Sequence, residues 1–175
     1  MLKYIISDML ATLRYFPYGI IAGLFAVVIL RQINQGRERR GKSPVLLPAV
    51  SCLVTYVVVL LMITYFSRES GSRVGMDLDL FSTWGINRRN NAYVVENVLL
   101  FIPYGFVLAW AVPRQRHFLI NLLTGALTSL AIESMQLVTG RGYFQIDDIL
   151  TNILGTIVGF LCFHLVLGIC SLWRK

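Results

Sequence analysis

Five stretches of this chain carry almost no charge and are long enough to cross a bilayer, and that leaves few folds open. The clearest is 45–66, which has no charged residue and is dense in Val and Leu. A hydrocarbon core of roughly 30 Å needs about 20 apolar residues in a helix. Residues 15–30, 97–113, 118–140 and 149–173 read as four further spans. The first is slightly short, and Tyr15, Phe16 and Tyr18 extend it at headgroup level. Only 14% of the 175 residues are charged, against roughly 25% in an ordinary soluble domain. The expected fold is all-α: a polytopic membrane bundle of about five transmembrane helices, forming one domain over 1–175. Leu2, Ile5, Met9, Leu13 and Phe16 recur every three or four residues, predicting an N-terminal interfacial helix. Asp8 interrupts that stretch and no small-residue cleavage site follows, so it does not read as a signal peptide.

The net charge of +7 suits basic loops against anionic lipid. No basic-aromatic interleaving is present, so a nucleic-acid partner is not expected. Arg31, Arg37, Arg39, Arg40 and Lys42 form a basic segment over 31–42 that reads as a loop, with Gly and Ser-Pro punctuation. With Arg114, Arg116, Arg174 and Lys175 it lies beside the spans on one side. The positive-inside bias then places the basic loop and the C-terminus in the cytoplasm. The 67–93 connection is long and polar, and Asp77-Leu78-Asp79-Leu80-Phe81 alternates like a short extended piece. Whatever the orientation, alternation of five spans puts this connection and the 140–148 loop on the same side. Cys52, Cys162 and Cys170 lie in apolar runs without metal-type spacing and read as small buried hydrophobes.

Polar residues near that side are the costly feature, and polar groups inside spans need an explanation. Glu133 and Gln136 share one helix face. At ~1.5 Å per residue Glu133 lies roughly 10 Å below Gly140. Glu96 and Asn97 open the third run, while Asp147, Asp148 and Asn152 open the fifth. Asp148, Asn152, Gly155 and Gly159 form one stripe, whose GxxxG permits close helix approach. This arrangement suggests that the fourth and fifth spans pack with Glu133 and Gln136 near Asn152. Pro103 and Gly105 in the third run are read as further packing positions, Pro103 as a kink. One reading of the polar set is interhelical glue, with Arg141 neutralising a carboxylate. The other is a polar pocket lined by Glu96, Asn97, Glu133, Gln136, Arg141, Asp147, Asp148 and Asn152. Four carboxylates against one arginine would leave it negative, suited to a cation, a protonated acid, or a ligand with amines or hydroxyls. Nothing fixes a metal geometry or a cofactor motif, so neither metal nor cofactor is expected. His164 reads as a hydrogen-bonded packing residue, and neither histidine is placed to activate Ser134.

Over roughly 77–163 the chain resembles the VanZ-like family. The motifs that carry the resemblance are ENVLLFIPYGF from Glu96 to Phe106, ESMQ from Glu133 to Gln136, then Arg141, Asp147-Asp148, Asn152, Gly155 and Gly159. The Asp77–Phe81 piece lacks the family's proline. The resemblance implies a bacterial multi-spanning envelope protein. Its name-giving member is associated with resistance to teicoplanin, a lipoglycopeptide. The implied site positions are Asn97, Glu133, Gln136, Arg141, Asp148 and Asn152, with Glu96 and Asp147 matching less closely.

Three functions stay open. The leading one is a non-catalytic protein whose exterior pocket binds a lipid headgroup or the lipoglycopeptide itself, with membrane lipid as partner. The second is an intramembrane enzyme acting on a lipid-linked headgroup, with Glu133 or Asp148 as base. The third is a proton- or cation-coupled transporter, disfavoured by acids on one side only and by five spans without an inverted repeat; an oligomer would make it more plausible.

Overall fold

The computed structural model describes residues 1–71 and 73–173. Helix α1 (Leu2–Thr12) runs through a 3-10 turn into α2 (Phe16–Glu38). Then come α3 (Leu47–Leu61), which widens into a π-turn at Met62–Phe66, strand β1 (Arg73–Asp77) and α4 (Arg88–Ala111). Helix α5 (Phe118–Thr139), strand β2 (Arg141–Gln145) and α6 (Ile146–Leu172) complete the order. Five helical segments are long and apolar enough to span a bilayer: Leu2–Glu38, Leu47–Phe66, Arg88–Ala111, Phe118–Thr139 and Ile146–Leu172. A mostly helical membrane bundle is therefore the architecture.

Several boundaries differ from the sequence reading. Residues 31–38, expected as loop, continue α2, because Arg, Gln and Glu are good helix formers and one Gly is tolerated. The chain turns only afterwards, at Gly41 with φ 66°. Asn34 closes the turn by accepting from Val45 N at 2.7 Å and donating to Val45 O at 2.9 Å. Helix α4 starts at Arg88, well before the apolar run, because Asn87 caps it: its side chain accepts from Arg89 N and Asn90 N, both at 2.9 Å. The extended piece is β1, slightly upstream of Asp77–Phe81, and 141–145 is a strand rather than a loop. The two strands pair in parallel, Gly75 opposite Tyr143, which puts both connections on one side of the bundle. Cys52, Cys162 and Cys170 are free and exposed on outer helix faces, so they face lipid rather than filling a core. The basic residues Arg174 and Lys175 lie outside the described residues.

The tight seam joins α4 to α6. A methyl on Gly159 would land on the Ile102 carbonyl, and one on Gly155 on the Val98 carbonyl. Gly105 of α4 meets the Thr156 backbone in the same way. The GxxxG of the fifth span thus faces the third, not the fourth as expected. The adjoining face of α6, Asn152 and Thr156, meets α5 at Ser129 and Gly125. Small residues let two backbones approach where lipid supplies no hydrophobic drive between helices. Pro103 lies inside α4, and nearby the Tyr56 hydroxyl of α3 donates to the Leu100 carbonyl. Phe101, Tyr104, Leu108, Leu60 and Ile132 form the core between α3, α4 and α5.

Candidate functional site

Where α3, α4, α5 and α6 meet the two strands, a cleft of about 460 Å³ opens. Its walls are Ser67, Arg68, Glu69, Thr83, Tyr93, Asn97, Arg141, Tyr143, Gln145 and Asp148. Asn97, one of the expected site residues, hydrogen-bonds side chain to side chain with Asp148, so α4 and α6 each bring one polar group to the wall. Arg141, at the start of β2, donates to the Tyr65 carbonyl at 3.4 Å and to the Arg68 carbonyl. Its guanidinium also stacks over Tyr65, 4.9 Å from the ring centre. Arg141 therefore ties β2 to the end of α3 rather than to a carboxylate.

Glu133 and Gln136 sit directly behind the wall, 2% and 1% exposed. Gln136 Oε1 accepts from Arg68 at 2.9 Å, and its amide nitrogen donates to the Thr64 carbonyl at 2.9 Å. Glu133 accepts the Gln145 backbone N–H at 3.1 Å. Gly142 passes between Arg68 and Gln136: a Cβ there would lie 2.5 Å from the Arg68 guanidinium and 2.6 Å from Gln136 Oε1. A side chain there would push the Arg68 guanidinium or the Gln136 amide aside and disturb the bond between them.

Three expected members are elsewhere. Asp147 is buried and points to the long connection, accepting Phe81 N at 2.7 Å and Thr83 N at 3.0 Å. Asn152 lies deeper, donating to Ser129 Oγ at 2.9 Å, while its own Oδ1 is buried without a partner. Glu96 turns away from the cleft toward α1 and the Asp8 carboxyl, and its Oε1 is buried without a hydrogen-bond partner. Asp8 in turn pairs with Arg89 at 3.0 Å.

Arg68 is the residue that sequence reasoning missed. It follows the second span in a polar connection, and nothing in its local pattern sets it apart from the other arginines there. In the fold it is the cation acting on both Glu133 and Asp148. Among the described residues, however, no salt bridge joins it to Asp148. The expected excess of negative charge is thus much reduced: Glu96 has left, backbone amides hold Asp147, and Arg68 joins Arg141. The cleft walls carry two guanidinium groups, Arg68 and Arg141, and two carboxylates, Glu69 and Asp148. Among the described residues, no group of three His, Cys, Asp or Glu side chains is placed to hold a metal ion. His164 is a packing residue, with Nδ1 3.1 Å from the Phe160 carbonyl and its ring against Phe160 and Phe163.

The family model described as VanZ/LLP1 matches residues 52–167, well over half of the chain. The match begins inside α3 and takes in every residue of the cleft. No curated protein and no solved structure matches the chain.

Proposed function

The chain is a multi-pass membrane protein belonging to the VanZ/LLP1 family, and on that premise we propose that its cleft binds the headgroup of an amphiphile at the exterior face of the membrane, without transforming it. The observation that carries this reading is that Arg68 and Asp148 both line one cleft with no ion pair between them. A headgroup with an anionic group beside an amine or hydroxyls satisfies both, since charge-assisted hydrogen bonds to guanidinium and carboxylate are the strong ones. Tyr93 and Tyr143 at the walls are amphipathic rings suited to the headgroup level. Phospholipid headgroups and the polar part of a lipoglycopeptide such as teicoplanin both have this chemistry. A contribution to glycopeptide resistance would follow from capture of the drug at the membrane surface.

Glu133→Gln combined with Asp148→Asn tests the reading. At equal protein level, the double variant should retain less lipid on purification and should raise teicoplanin susceptibility in any host the wild type protects. Unchanged lipid retention and unchanged susceptibility would overturn it. Orientation is tested separately by reporter fusion at the C-terminus: cytoplasmic-type activity is expected, and exterior-type activity would move the cleft to the cytoplasmic face.

A further inference from the structure

From the end of β1 to the start of α4, the chain turns Met76, Leu78, Leu80, Phe81, Trp84 and Ile86 outward, each more than half exposed. These residues belong to no spanning helix. Exposed apolar groups gathered this closely mark an interaction surface rather than ordinary solvent contact. The segment is held in a fixed shape. Both Asp147 oxygens accept its backbone amides, at Phe81 and Thr83. The Asp77 carboxylate accepts from the Ser82 hydroxyl at 2.8 Å and from Asp79 N at 3.2 Å.

Phe81 decides what the shape is for. Its φ is 61°, the left-handed region that a bulky side chain rarely enters. Such a backbone persists only where its surroundings over-determine it. A turn that merely linked β1 to α4 through water would place Gly or Asn there. Here it holds a phenyl ring 73% exposed.

We infer that residues 76–86 form a rigid apolar wedge inserted into the bilayer leaflet on which the cleft opens. Its occupant is lipid rather than a protein, because the wedge continues the lipid-facing surface. Exposed Phe66 ends the second spanning segment on one side, and exposed Tyr93 lies in the second turn of α4 on the other. Elements that lie in the interface bury their apolar face about 5–10 Å into the headgroup and acyl boundary. Asp79 is the exposed carboxylate of the segment and Arg88 follows at its end, both at the polar level. Trp84 is of the type that collects at this depth.

Trp84 reports the outcome directly. The full chain with Trp110→Phe and Trp173→Phe leaves Trp84 as its sole indole. It is reconstituted in vesicles of phosphatidylethanolamine and phosphatidylglycerol, with or without mid-chain bromination. The wedge predicts blue-shifted emission, strong quenching by brominated chains and weak quenching by aqueous acrylamide. Phe81→Asp should then move the balance toward acrylamide. Quenching by acrylamide alone would overturn the inference by placing the segment in water. Shielding from both quenchers would overturn it by showing a protein cover. The unmodified chain gives an independent reading: a lipid-phase diazirine should label Leu80 to Ile86, and no label there contradicts the wedge. Neither experiment requires that the cleft bind anything.

Discussion

Helix α2 meets the rest of the bundle chiefly through α3, where Gly19 and Gly23 face Thr55 and Val59, whereas α6 is gripped from two sides. Its glycines touch α4 backbone while Asn152 and Thr156 meet α5. Most of the outer surface of α2 is apolar and open to lipid, with Leu24, Phe25 and Val28 exposed. The family match follows the same division: it excludes α1 and α2 and contains α4, α5 and most of α6. Apolar length thus suffices to place a helix in lipid. Backbone contact and polar satisfaction are needed where helices must hold a cleft open at a set width.

The largest expected effect breaks the α4–α6 seam. Gly159→Leu should destabilise the protein by about 3 kcal/mol, the upper end for overpacking, and Gly168→Ala should be neutral or stabilising by up to about 1 kcal/mol, because nothing lies within 4 Å of that glycine. Thermal unfolding in detergent checks both. Equal tolerance at the two sites would mean that the seam is no tighter than the rest. Next comes Asp147→Ala, which strands the amides of Phe81 and Thr83. Hydrogen bonds to a charged group contribute about 1.5–3 kcal/mol, so rapid proteolysis within 78–86 is expected where the wild type resists.

Arg68→Gln should lower stability by about 1–2 kcal/mol, since Gln136 loses a charged donor. Adding Asp148→Asn should restore part of that loss, and a double-mutant cycle measures the coupling. The matching test on the α2 side is Asn34→Ala, which removes two bonds to Val45 at a half-open turn and should cost about 1 kcal/mol. The smallest effect concerns pH. The Ser82 hydroxyl and the Asp79 amide hold the Asp77 carboxyl below its ordinary value. Its contribution to loop order is therefore present above the ordinary carboxylate range and lost as pH falls through the lowered value. Trp84 emission should shift on acidification in the chain carrying Trp110→Phe and Trp173→Phe, and this shift should be missing when Asp77→Asn is added.

The spans were legible because the hydrocarbon thickness imposes a length that the sequence displays openly. Helix ends were less so: at Asn87 a polar cap extends α4 beyond its apolar run, and at Arg31 charged residues prolong α2. The site was partly legible. Asn97, Glu133, Gln136, Arg141 and Asp148 stand out as polar groups in or beside apolar helices, and the fold brings them to the cleft or directly behind it. Glu96 carried the same signal and faces α1 instead, because one residue along a helix turns a side chain by about 100°. Arg68 carried no signal, since its role depends on a parallel strand pair formed between distant connections. The direction of the GxxxG was likewise undetermined, because a small-residue stripe states that a neighbour comes close without saying which.

Whether the cleft holds lipid is decided by counting the lipid that stays bound. Native mass spectrometry of detergent-extracted protein counts phospholipid bound to the wild type, to Arg68→Gln and to Asp148→Asn, each first shown to melt as a folded protein. Wild type should retain phospholipid, and retention should fall about tenfold in each variant, the equivalent of roughly 1.4 kcal/mol of binding. Equal retention in all three proteins would contradict it.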